Sequence, residues 1–150
     1  MLTIPALHAL PGLIGSELGT SDWHEVTQEQ VNEFADATGD HQWIHVDAQR
    51  AAAGPFGGTI AHGYLTLSLI PVLLSGAIRV NGIRMGINYG LNKVRFPAPV
   101  PVGSRVRATG VLKEAKEIPG GMQAVYEVTV QVEGGEKPAC VAETVVRYMA

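Results

Sequence analysis

Asp40 and His45 stand five residues apart in the stretch Asp40-His41-Gln42-Trp43-Ile44-His45, which is polar, aromatic and without helical or strand period. A carboxylate beside an imidazole suits general acid–base chemistry, because each tunes the other's proton affinity and histidine titrates near neutrality. Side chains on a loop can converge without regular spacing. On spacing alone the structural reading is the stronger one: Asp40 accepts backbone N–H groups beyond a helix end, and His45 fills a partly buried site. Asp40, His41 and His45 are also potential metal ligands, but no second ligand cluster accompanies them and no metal site is expected.

The elements around this stretch can be read from local rules. Thr27-Gln28-Glu29-Gln30 has capping-box spacing, Val31, Phe34, Ala35 and Thr38 form one stripe at i, i+3, i+4 and i+7, and Gly39 supplies a left-handed stop. This predicts a helix with Asp40 just past its end. Asp47 can cap a second short helix through Arg50 and Ala53, so the first two helices bracket a loop holding an acid and two histidines. Upstream, a loosely helical lead-in precedes a short strand at Asp22–Val26.

Gly63 opens a long apolar helix over Tyr64 to about Ser75, ended by Gly76. It is apolar on nearly every face, so something must wrap around it. Strand-forming residues dominate the C-terminal half of the chain: Arg84–Leu91, Lys93–Phe96, Ser104–Ile118, Met122–Glu133 and Ala139–Tyr148. Pro119-Gly120-Gly121 and Glu133-Gly134-Gly135 are turns at hairpin spacing. The alternation of Ala124 to Val132 marks an antiparallel strand with one face on the core. The expected architecture is α+β, a curved antiparallel sheet around one long apolar helix, in a single domain spanning 1–150.

A chain of 150 residues, 46% hydrophobic and 17% charged, can bury a core without disulfides or metals. Its net charge of −3, with 11 basic residues scattered along it, gives no footprint for nucleic acid. The single cysteine, Cys140, lies in an apolar alternating stretch and fits a reducing, cytoplasmic setting as a small buried hydrophobe. No secretory signal is read at the N-terminus. The apolar run Tyr64–Ile78 is shorter than the roughly 20 residues of a membrane span, so no membrane insertion is expected.

Taken whole, Gly39-Asp40-His41-Gln42-Trp43-Ile44-His45, with Ala51 six positions on, resembles the signature of the MaoC-like, (R)-specific enoyl-CoA hydratases (hydratase 2). That pattern runs Gly-Asp, any residue, Asn-Pro, an aliphatic residue, His, then a small residue. Gln42 and Trp43 stand where it has Asn and Pro. Ala61-His62-Gly63-Tyr64-Leu65 resembles the family's His-Gly entry to the central helix, and Phe96-Pro97-Ala98-Pro99-Val100-Pro101-Val102-Gly103 its Phe…Pro-Val…Gly crossing. Ile87 to Phe96 is similar to short actinobacterial single-hot-dog hydratases and NodN-like proteins.

The resemblance implies a single hot-dog domain that reversibly hydrates trans-2-enoyl-CoA to (R)-3-hydroxyacyl-CoA. No separate cofactor is implied, since coenzyme A is part of the substrate. By the resemblance Asp40 and His45 hold one water between them; Asp40 is read as the base that takes its proton and His45 as the group that positions the water and protonates the α-carbon, a division that can also run the other way. Negative charge builds on the thioester oxygen, and the Gly63 N–H at a helix start is a donor placed for it. Ile60, Ala61, His62, Asn88 and Arg147 are expected substrate contacts, although a surface charge is the simpler reading of Arg147 and a packing or positioning role that of His62. Many relatives carry a serine on the central helix where this chain has Pro71. Sheet edges left open by one hot-dog imply a homodimer. The alternatives are a hot-dog thioesterase and a non-catalytic acyl-thioester-binding protein. The first is opposed by the lack of Asp and Glu from Tyr64 through Gly76, because the thioesterase and FabZ-like branches place a carboxylate there.

Overall fold

The computed structural model describes all 150 residues, Met1–Ala150. One six-stranded antiparallel sheet carries the fold, in the order β2(Glu17–Thr20), β6(Arg105–Ile118), β7(Gly121–Val132), β8(Cys140–Met149), β5(Met85–Arg95), with β3(His24–Glu25) also paired to β6. At the start of β7, β8 runs so close that a Cβ on Gly121 would lie 1.8 Å from the Tyr148 carbonyl oxygen, so only glycine fits. Along β7, Met122, Ala124, Tyr126, Val128 and Val130 all join the core, as the alternation requires. Cys140 is fully buried among them, and burial pushes its thiol up to about 11.

The helix α4(Gly63–Ser75) lies on the inner face of this sheet. Leu65, Thr66, Leu69, Ile70 and Leu73 form its buried stripe, and each large apolar side chain there contributes about 1.5–3 kcal/mol of burial. Gly110 on β6 faces the helix, with Leu74 3.4 Å from where a Cβ would stand. The expected enclosure is incomplete, however. Tyr64, Ser68, Pro71, Val72 and Ser75 form an exposed stripe, because the sheet of one chain covers only one side of a helix that is apolar all round. The edge strand β5 is bare too: every residue of it except Val94 is exposed.

The lead-in differs from the loosely helical expectation. β1(Leu2–Ile4) pairs in parallel with β4(Ile78–Val80), and a 3-10 helix, Leu7–Leu13, anchors Leu10 in the core. The helix α1(Gln28–Thr38) starts and stops as expected, with Thr27 Oγ1 accepting the Gln30 N–H at 3.1 Å and Gly39 at φ 82°. Only half of the capping box forms, because the Gln30 side chain bonds His24 Nε2 at 2.9 Å instead of reaching back. Thr38, the last residue of the predicted stripe, is exposed.

Candidate active site

The chain beyond α1 is shorter and more regular than the irregular loop expected. After Asp40 comes a single helical turn, α2(Trp43–Val46), then α3(Ala48–Ala52), whose start is capped by Asp47 Oδ1 accepting the Arg50 N–H at 3.0 Å. Four residues are too few to show a helical period, so α2 left no pattern in the sequence. This turn points His45 inward, where it is 6% exposed, while Asp40 remains exposed at the end of α1.

Two backbone carbonyls fix how the neighbouring imidazoles present themselves. His45 Nδ1 lies 2.7 Å from the Ile60 carbonyl oxygen and His62 Nε2 lies 2.9 Å from the Asp40 carbonyl oxygen. A carbonyl only accepts, so each of these nitrogens carries the proton and donates. His45 Nε2 and His62 Nδ1 therefore keep their lone pairs. Burial is the main force holding the His45 ring below its usual 6.5, with the adjacent His62 pushing the same way and the Ile60 carbonyl and Asp40 opposing.

His62 holds this arrangement together. It is the residue before α4, is 3% exposed, stacks on His45 with ring centroids 3.8 Å apart, and tilts against Phe34 at 4.8 Å. Its Nδ1 is buried with no hydrogen-bond partner. Just beyond it the Leu65 and Thr66 N–H groups close the first turn on the His62 carbonyl at 3.0 and 3.2 Å, leaving Gly63 N–H at the open, positive end of the helix. The Gly63 Cα is crowded by Phe96, whose ring atoms would lie 3.2 Å from a Cβ.

One ligating atom each from Asp40, His45 and His62 lies within 4.8 Å of the others. An ion bound by both imidazoles must lie near both ring planes, and rings stacked 3.8 Å apart with planes 23° from parallel do not aim their lone pairs at one such point. The cluster therefore fits a water or a proton better than a chelated metal. His41, the other candidate ligand, turns away to Asp36 at 2.8 Å, and that hydrogen bond raises its proton affinity.

The remaining expected contacts are distributed over three places. Ile60 and Ala61 have buried side chains and act here through backbone: Ile60 N–H donates to the Ile44 carbonyl at 3.0 Å, and Ala61 N–H to Val100 at 2.8 Å. Asn88 lines a cavity of about 620 Å³ between α4, β5, β7 and β8, together with Leu67, Ser68 and Pro71. Arg147 lies apart from both, across β8 from the cavity-lining Val146 and Tyr148, where its guanidinium donates to Gln123 Oε1 at 3.0 Å and covers the Tyr89 ring at 3.5 Å. The cavity does not include Asp40, His45 or His62; it follows the later turns of α4, whereas the cluster sits at the helix start. Pro71, having no N–H, leaves the Leu67 carbonyl without its usual helical donor there.

Gln28 supports the site and was not singled out from the sequence. Its Nε2 donates to the His45 carbonyl at 2.8 Å and its Oε1 accepts from Thr59 Oγ1 at 2.6 Å, tying the start of α1 to both the α2 turn and the strap before Ile60. A capping-box glutamine carries no sequence signal for a contact 17 and 31 residues away.

The profile of the family described as "MaoC like domain" matches residues 10–135. Over 151 aligned residues, covering 100% of both chains, this chain is 60% identical to a protein of Mycobacterium tuberculosis named 3-hydroxyacyl-thioester dehydratase Z. It is 48% identical to nodulation protein N of Rhizobium leguminosarum bv. viciae, over 95% of this chain and 92% of that protein. Among solved structures, an (R)-hydratase from A. caviae superposes with a TM-score of 0.71 at 26% identity, covering 89% of this chain and 94% of that one.

Proposed function

The chain belongs to the MaoC-like domain family, and from that premise we infer that it is a hydro-lyase interconverting trans-2-enoyl thioesters and 3-hydroxyacyl thioesters by adding or removing water. The observation that carries this reading is the meeting of Asp40 and His45 beside the open N-terminus of α4, with ligating atoms within 4.8 Å.

Hydration requires a donor for the thioester oxygen, a base for the water and a proton for the α-carbon. Gly63 N–H, at the positive end of α4, is the donor. The base follows from the His45 tautomer. Its only ring proton is committed to the Ile60 carbonyl, so Nε2 is an acceptor, and burial favours the uncharged ring. One water can then donate one O–H to His45 Nε2 and the other to the Asp40 carboxylate. Its oxygen bonds to the β-carbon, its proton passes to Nε2, and the imidazolium returns that proton to the α-carbon. The site starts with no acid proton at Nε2, so the α-hydrogen originates in the attacking water. This is the second of the two divisions that the sequence leaves open: His45 takes the proton and Asp40 orients the water.

Coenzyme A enters as part of the substrate, no resident cofactor takes part, and the hydrated product is the (R)-3-hydroxyacyl thioester. The named (R)-hydratase of similar fold supports the stereochemistry. A homodimer is supported by the bare edge strand β5 and the exposed apolar stripe of α4, which together leave Tyr64, Val72, Met85, Ile87, Tyr89 and Leu91 uncovered. No helix is long and apolar enough to cross a membrane, and the lone thiol supports a cytoplasmic setting.

The test is hydration of crotonyl-CoA followed by loss of enoyl absorbance. Asp40→Asn and His45→Gln should each lower turnover at least about 10²-fold while staying folded, as removal of an acid–base group does. Near-normal turnover in both variants overturns the assignment.

A further inference from the structure

Resting on the hydratase reading, we propose that the cavity along α4 contains a polar acyl subsite, formed by the hydroxyls of Tyr126 and Tyr148, that selects thioesters carrying an oxygen function near the methyl end of the chain. The cavity is lined mainly by apolar groups, so its polar atoms are few and informative. Tyr126 and Tyr148 both line it, and their hydroxyl oxygens are 2.8 Å apart. They reach each other across Ala124, whose small side chain lies on the same face of β7 two residues from each contact row, since Tyr126 pairs with Thr144 and Met122 with Tyr148.

Counting donors gives the chemistry. Two phenols bring two O–H groups, and their mutual bond uses one. The structure gives neither hydroxyl another partner, so one O–H is left over inside a site where Tyr126 is only 2% exposed. Burial raises the proton affinity of both phenols, so the leftover group stays a donor. Thr144, directly opposite Tyr126 in register, lines the same cavity and brings a second hydroxyl that has no hydrogen bond in the structure. A saturated alkyl tail leaves these groups unmatched, whereas a carbonyl or hydroxyl oxygen accepts from them.

The position sets which substrates reach the subsite. At 1.5 Å per residue, Pro71 and Leu74 stand about 12 and 16 Å along α4 from Gly63, where the thioester is held. A crotonyl group ends far short of that, and a medium-length chain laid along the helix extends to it.

The experiment compares trans-2-dodecenoyl-CoA with two analogues that differ only by a carbonyl or a hydroxyl near the methyl end. Wild-type enzyme should favour the oxygenated substrates in kcat/KM by about threefold to tenfold, the effect of one net hydrogen bond. In Tyr126→Phe/Tyr148→Phe the ratio should fall towards one, with only the Thr144 hydroxyl left to favour oxygen. Removing both partners together with near-isosteric rings leaves no orphaned buried hydroxyl, so the double variant is expected to fold. If it does not fold, Thr144→Val, expected to reduce the ratio, and the wild-type ratio itself still decide. Hydration of the plain chain with no preference for oxygen overturns the subsite and leaves the hydratase reading intact; no hydration of any enoyl thioester overturns both. Preference for only one analogue identifies whether carbonyl or hydroxyl is the ligand.

Discussion

The imidazole of His62 lies face to face with that of His45, 3.8 Å between centroids, while its Nε2 donates to the backbone carbonyl of Asp40 at 2.9 Å. One side chain thus touches both members of the proposed acid–base pair, and it does so from the residue that immediately precedes Gly63, the proposed amide donor.

Replacing His62 by Phe keeps the stack but removes the donor to Asp40 and the ring that opposes protonation of His45. The Asp40 carbonyl loses its bond, for an expected cost of about 0.5–1.5 kcal/mol in urea denaturation. The acid limb of kcat/KM should move upward, because His62 is one of the groups that depress His45. A variant that loses stability with an unmoved acid limb would show His62 to be packing alone.

Stability should depend on pH through His45. The unfolded side chain titrates near 6.5 and the folded one lower, so in the interval between them the unfolded chain binds more protons. The contribution is fully present above 6.5 and is lost as pH falls through that interval. His41, raised by Asp36, works in the opposite direction but is solvent-exposed. Urea midpoints at several pH values, measured for wild type and His45→Gln, should differ in slope below pH 6.5; parallel curves contradict the assignment.

Gly63→Ala separates conformation from ligand approach. Gly63 has no positive φ, so alanine suits its backbone, and Phe96, 38% exposed, can yield the few tenths of an ångström its new methyl needs. Thermal stability should change by less than about 1 kcal/mol. With Gly63 N–H as the proposed donor to the thioester oxygen, activity should fall roughly 10²-fold, because the added methyl narrows the ligand's approach to that amide. Equal losses of stability and activity would mean the glycine serves packing.

Met85 and Ile87, 50% and 42% exposed on the edge strand, should lie in the subunit contact. Light scattering of the wild type should give twice 15.9 kDa, and Met85→Lys/Ile87→Lys should shift it towards 15.9 kDa. A wild-type monomer contradicts the dimer.

What the sequence could show depended on the range of the interactions involved. Thr27, Gly39, Asp47 and Gly63 act within one helical turn of themselves, and the elements they bound were legible, as were the long strands with their period of two. The parallel pair β1 and β4 was not, because three-residue strands have no readable period and their partners are about 75 residues apart. Asp40 and His45 were legible as a pair through their pattern and only weakly through chemistry. The stack with His62 depends on a contact across 17 residues, and the Gln28 brace on two such contacts, so neither left a local trace. Arg147, whose simpler reading is a surface charge, lies outside the cavity that its neighbours Val146 and Tyr148 line.

Cys140, the lone thiol, is sealed at 0% exposure in the sheet between Val130 and its own strand's core-facing neighbours, with its ionisation suppressed. Alkylating reagents can reach it only when the core around it opens, so the rate of labelling is a clock for that opening. The molecule carries its own reporter of how often its core breathes, with no engineered tag required.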